Sequence, residues 1–245
     1  MTTSEATDVL RCAQRIGEAV DFVFAGLAEL DSRVRSCWER AQAETGEVKK
    51  ADLEALRPTI HASLRAPGNH FCGTGVVVAP GALADAQLHL EWWQRRPENR
   101  LERLQLDFSP ASEDFYDYRQ MPWFAEPRDE RRGVVFGPYV DLNGADLYIL
   151  TFTRPVVVGD EFVGVVGADM PLGSFERLLL PPLKHVAGDA LVATHEGRVL
   201  AANTPLWTPG SLARNLLQNK YTSDVDRVVI NVPEVEWSVL RVRAS

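Results

Sequence analysis

Between positions 13 and 37 the apolar residues Ala13, Ile16, Val20, Val23, Leu27, Leu30, Val34 and Cys37 recur at alternating spacings of three and four. That is the stripe of an amphipathic helix with a seven-residue repeat. It predicts one helix over about residues 5–45, with Ser4 as a possible N-cap, Glu5 and Asp8 near its positive end, and Gly46 as its stop. At 1.5 Å per residue such a helix is about 60 Å long, more than a small domain is wide. Its stripe packs either on residues 52–64 folding back or on a second copy of the chain. The length favours a homodimer through this helix.

From residue 71 the period changes from 3.6 to 2. Residues 71–80, with Gly73, Gly75 and the run Val76-Val77-Val78, read as a strand with a glycine bend. Residues 88–93 and 101–108 follow as strands, and in the second Leu104, Leu106 and Phe108 alternate with polar neighbours. Residues 109–127 read as an irregular loop rich in aromatics. Residues 134–140 and 147–158 read as strands joined at Asp141-Leu142-Asn143-Gly144, a turn suited to positive φ. Residues 162–169 form the next strand, and residues 172–180 a helix ended by Pro181-Pro182. A smaller segment follows: a hairpin of residues 190–194 and 199–202, a short helix opening at residues 208–211, and strands over 225–232 and 235–242. A long helix followed by runs of antiparallel strands argues an α+β fold, not a wound βαβ sheet. The division expected is residues 1–66 for the long helix and its return, 67–182 for a first sheet module, and 183–245 for a second.

Composition narrows the function classes. The chain has 245 residues, 45% hydrophobic and 24% charged, which suits a packed globular protein and excludes a disordered one. Its net charge of −8 and lack of a basic run speak against nucleic acid as a partner. No apolar stretch approaches the length of a membrane span, and the first residues lack the pattern of a signal peptide. The three widely spaced cysteines, Cys12, Cys37 and Cys72, read as reduced thiols. Together these features make a cytoplasmic location, away from membranes, the expectation. Gly73-Thr74-Gly75 lacks the third glycine of a dinucleotide fingerprint. The five histidines have no metal-ligand spacing, and no serine sits in a nucleophile elbow. No catalytic residues, cofactor or metal are expected, and the chain does not read as an enzyme.

Three segments deliver aromatics or a carboxylate near a turn. They are residues 115–125 with Tyr116, Asp117, Trp123 and Phe124, residues 135–141 with Phe136, Tyr139 and Asp141, and residues 162–169 ending in Asp169. Aromatic faces around a carboxylate suit a cationic ligand. By composition alone the same aromatics read better as core, where aromatics usually sit.

The order of these segments resembles the Cache sensor domains, specifically the double Cache type of bacterial chemoreceptors and sensor kinases. The resemblance rests on Tyr116-Asp117-Tyr118-Arg119, Pro122-Trp123-Phe124, Gly137-Pro138-Tyr139-Val140-Asp141 and Gly164-Val165-Val166-Gly167-Ala168-Asp169. It implies a long helix followed by two PAS-like modules, with a ligand pocket in the first. It also implies binding roles for Tyr116, Trp123, Tyr139, Asp141 and Asp169. In the amino-acid-sensing branch an Arg stands two residues before the Trp and pairs with the ligand carboxylate. Here that position is Met121, which has no such capacity. The amine side, Tyr139 with Asp169, is intact, so the resemblance implies a sensor for a small amine or an amino-acid-like metabolite, signalling through a protein partner. Arg119 or Arg154 is a candidate substitute for the missing Arg. The alternative is a scaffold protein whose Cache fold has lost its ligand. The chain shows no membrane span, so it resembles a free-standing member of the family.

Overall fold

The computed structural model describes residues 3–142, 144–145, 147–218 and 225–243. The turn residue Asn143 lies outside the described residues, and Ser4, expected as a cap, falls inside the first helix, which begins at Thr3. The α+β architecture is as expected, a helical N-terminal segment and two antiparallel sheets.

The heptad stripe forms two helices where one is expected, α1 (Thr3–Ala25) and α2 (Ala28–Thr45). Gly26 explains the break, since glycine is a poor helix former. Beside it the Leu27 amide bonds the Phe24 carbonyl at 3.0 Å, a tighter turn than the helix makes. Gly46 ends α2 with φ 76°, its amide on the Gln42 carbonyl at 2.9 Å. Every residue of the stripe is at most 4% exposed within a single chain. The stripe is therefore already packed within a single chain. Periodicity reports that a face is buried and does not report which neighbour buries it.

The chain divides into two compact units, Phe24–Pro171 and Met1–Val23 with Leu172–Ser245. This departs from the three-part division expected, because α2, α3 (Lys50–Leu53) and α4 (Arg57–Arg65) belong with the first sheet instead of standing apart.

The larger unit holds β1 (Gly73–Val78), β2 (Leu90–Arg95), β3 (Leu101–Arg103), then helix α5 (Pro122–Glu130), β4 (Val134–Val140), β5 (Tyr148–Val158) and β6 (Glu161–Pro171). The strands form one antiparallel sheet in the order β3-β2-β1-β6-β5-β4. On one face α2 packs on β5, and α4 packs on β1 and β2. A fully buried Glu91 pins α4 there, accepting from Arg57 Nε at 2.9 Å and Trp93 Nε1 at 2.7 Å, with Arg103 3.2 Å away. On the other face α5 lies over β4, β5 and β6. This helix occupies part of the segment expected as loop. Pro122 opens it at a position where proline is well tolerated.

The smaller unit holds α6 (Leu172–Leu183), β7 (Asp189–Thr194), β8 (Val199–Ala202), α7 (Arg214–Gln218), β9 (Val225–Val229) and β10 (Trp237–Val242). Its sheet runs β8-β7-β10-β9, all antiparallel. The α6 helix carries on through Pro181 and Pro182, where the sequence predicts its end; the Lys184 amide still reaches the Leu180 carbonyl at 3.0 Å. The three cysteines are free and buried. Among the described residues no helix is long and apolar enough to cross a membrane.

Candidate functional site

One row of directly opposed residues crosses the larger sheet: Glu102, Gln94, Gly73, Asp169, Thr151 and Phe136. Residues paired in this way project from the same face. Here that face is the one under α5, because Thr153, two residues along β5 from Thr151, bonds the Trp123 carbonyl of α5 at 2.7 Å. Tyr139 joins the same face through a bulge. The register of β4 against β5 slips by one between Phe136 and Tyr139, which brings Tyr139 opposite Ile149. Without the extra residue Tyr139 would point to the opposite face, the one packed by α2 and α4.

Asp169, Thr151 and Tyr139 of this face line a small cavity of about 40 Å³. Water takes about 10–15 Å³ on this scale, so the space suits a compact ligand. Val77, Leu90, Leu104 and Leu106 form its apolar wall, and Trp92, Tyr116, Trp123 and Tyr139 its aromatic wall. The polar lining is Asp141, Thr151 and Asp169, beside Gly144. Two glycines make room. A Cβ on Gly73 would stand 2.8 Å from Trp92 Nε1 and 3.2 Å from Asp169 Oδ2. One on Gly167 would stand 3.4 Å from the outer edge of the Trp92 ring.

Asp169 is the electrostatic centre. Thr151 Oγ1 donates to its Oδ1 at 2.8 Å, and the Tyr139 hydroxyl shares a 2.9 Å hydrogen bond with Thr151 Oγ1. Burial pushes the Asp169 carboxyl up to about 7, with the Asp141 charge adding to the rise and the Thr151 and Trp92 donors opposing it. The Trp92 N–H stands beside the carboxylate without the geometry of a hydrogen bond, and it has no other partner. Burial, with the charges of Asp141 and Asp169 behind it, pushes the Tyr116 phenol up to about 12, and the Tyr139 phenol is raised for the same reasons. Asp141 accepts the Ala145 amide at 2.7 Å at the turn after β4. Among the described residues the lining thus contains two carboxylates and no Lys, Arg or His.

Residues 69–177 match the family model described as methyl-accepting chemotaxis protein-like, first PDC sensor domain. This segment is a Cache-type sensor domain. A comparison with curated proteins finds no match. Solved structures share the fold over nearly the whole chain. The ligand-binding domain of the amino acid chemoreceptor PctC of Pseudomonas aeruginosa PAO1, in complex with GABA, is 18% identical with a TM-score of 0.61, covering 98% of this chain and 100% of that one. The ligand-binding domain of Pseudomonas fluorescens chemoreceptor CtaA, in complex with L-valine, is 16% identical with a TM-score of 0.61 over 99% and 96% of the two chains. The extracellular domain of the putative histidine kinase soHK1S-Z6 is 15% identical with a TM-score of 0.61 over 97% and 91%.

Of the six residues the sequence nominated in this sensor domain, Tyr116, Trp123, Tyr139, Asp141 and Asp169 line the one cavity. Met121 does not. It stands just before α5 and packs against the apolar cluster that includes Tyr118, Trp123 and Phe124, which suits a thioether better than a wall carrying two carboxylates. Neither candidate substitute reaches the cavity. Arg119 is held by Asp117 at 2.7 Å, and Arg154 projects from the α2 face of β5 toward Asp31. Sequence reasoning missed Trp92, Thr151 and the Gly73 floor. Their signal is strand alternation, but which face carries the ligand follows only from the register.

Proposed function

We propose that this chain is a ligand-binding sensor whose larger unit takes a small amine as its ammonium form and reports occupancy to a protein partner. One observation carries this reading: a buried carboxylate, Asp169, faces an aromatic cavity whose lining offers a second carboxylate and no cationic side chain. A buried charge of this kind needs a partner of opposite sign. Aromatic faces add to the attraction for an ammonium. The ligands named with PctC and CtaA, GABA and L-valine, each carry an ammonium and a carboxylate. The ammonium half has a counterpart in this cavity. The carboxylate half has none in the lining, and Arg96, which binds the Gly144 carbonyl at 3.5 Å, is already paired with Glu102 at 3.1 Å.

A thermal-shift panel of small amines, their parent amino acids and the corresponding carboxylic acids tests the reading. A ligand at 100 times its Kd adds about 2.7 kcal/mol, a visible rise in melting temperature. Amines should shift the protein most and carboxylic acids not at all. Parent amino acids that outperform their amines would contradict the amine assignment and keep the sensor. A panel with no shift would favour the scaffold alternative.

A further inference from the structure

We propose that Gln94 is a ligand-binding residue of this cavity. Its ligand is then an amine that carries an uncharged hydrogen-bonding group, a carboxamide or a hydroxyl, a few bonds from the nitrogen. The proposal rests on the amine reading above and specifies the other end of the ligand.

Gln94 is 2% exposed, and neither Oε1 nor Nε2 of its side chain has a hydrogen-bond partner. Buried amides are almost always paired, because leaving both groups desolvated and unbonded is costly. A Leu or Met of similar volume would serve the fold better. Gln94 does not itself line the cavity but stands directly beside its lining. It stands in the same row and on the same face as Gly73, Asp169 and Thr151. Its Nε2 lies 2.8 Å from where a Cβ on the cavity-lining Gly144 would stand, a spot that Asp141 Oδ2 also crowds. Its Cγ lies 3.5 Å from the corresponding spot on Gly73, next to the unpartnered Trp92 N–H and Asp169 Oδ2. The glycine floor therefore brings together a carboxylate, an indole donor and an amide with both hands free.

The chemistry of the missing partner follows from these groups. An ammonium on Asp169 leaves Gln94 unsatisfied, so a plain alkylamine makes only half the contacts. A carboxylate near Gln94 meets Asp141 and Asp169 with no cation in the lining to offset them. A carboxamide or hydroxyl both donates and accepts, which matches the amide of Gln94 without adding charge.

The test uses four probes with one carbon skeleton: propylamine, 3-aminopropanol, 3-aminopropanamide and β-alanine. Each is titrated by calorimetry at pH 8 into the wild type and into Gln94→Met. In the wild type the alcohol or the amide should bind about tenfold more tightly than propylamine, and β-alanine should bind weakest. Gln94→Met should erase the tenfold advantage and leave propylamine within about twofold. Without ligand, Gln94→Met should melt about 2–4 °C higher, because it removes a buried unpartnered amide. Propylamine binding as tightly as both polar probes overturns the assignment, as does a uniform loss for all probes in the variant. The wild-type comparison decides alone if the variant does not fold. Failure of every amine to bind, or tightest binding of β-alanine, removes the amine reading itself, whereas amines that bind without the polar advantage overturn only the role of Gln94.

Discussion

In the larger unit the middle of the sheet reads Gln94, Gly73, Asp169, Thr151 across β2, β1, β6 and β5; in the smaller unit a middle row reads Ala202, Leu191, Leu240 across β8, β7 and β10. Both rows are buried, and both lie in antiparallel sheets. In the smaller unit Trp207, Ala213, Leu216 and Leu217 fill the space over the row, so the sheet is closed by its own side chains. In the larger unit glycine stands where a side chain would fill the gap, the Trp92 N–H of the cavity wall is unpaired, and so is the Gln94 amide beside the lining. Apolar burial stabilises the smaller unit at roughly 25 cal/mol per Å². The larger unit forgoes some of that burial and carries a desolvated carboxylate in its place. A local arrangement that costs stability in this way marks a site for an outside molecule.

Exchanging the characters of the two rows should give the largest effect. Leu240→Asp puts a charge into a filled apolar core and should cost about 4 kcal/mol or more, read as an early transition in urea. Survival of the smaller unit with its melting point unchanged would show that its core is not the closed one described. Gly73→Ala comes next. The added methyl presses on Trp92 Nε1 and Asp169 Oδ2, so amine affinity should fall by about 1–3 kcal/mol while the chain stays folded. The pH dependence is smaller per unit. The carboxyl of Asp169 is raised from 3.8 to about 7, so between these values the folded state holds a proton that the unfolded chain has lost. Unliganded stability should therefore fall as pH rises from about 4 to 7, and amine affinity should rise about tenfold per unit until it levels off above 7. A flat affinity profile from pH 5 to 8 would remove Asp169 from the site. Tyr139→Phe should give the smallest effect, about 1 kcal/mol, because it removes a single hydroxyl from the bond to Thr151.

The sequence revealed the two rows unequally. Tyr116, Trp123, Tyr139, Asp141 and Asp169 were legible because they sit in motifs whose order along the chain is distinctive. Gln94, Trp92 and Thr151 were not, since an alternating strand does not tell which of its faces a ligand meets. The bulge before Tyr139 illustrates the difficulty: one extra residue decides the face, and it shows only when β4 is set against β5. The heptad stripe showed correctly that one side of the N-terminal helices is buried, but not which neighbour buries it. Gly26, a weak helix former inside a strong pattern, was the sign that the helix would break. Pro122 likewise marked the start of α5 inside a stretch whose aromatics read as loop.

The proposed function turns on Asp169 holding a cation in the larger unit. Calorimetry at pH 8 on the wild type and Asp169→Asn, with the amine that gives the largest thermal shift, tests it most directly. Affinity should fall by about 2–5 kcal/mol in the variant, because the bound ammonium loses its paired charge. The unliganded variant should melt no lower than the wild type, because a desolvated carboxylate has been replaced by a neutral amide. Equal affinity in the two proteins, with the variant folded, would contradict it.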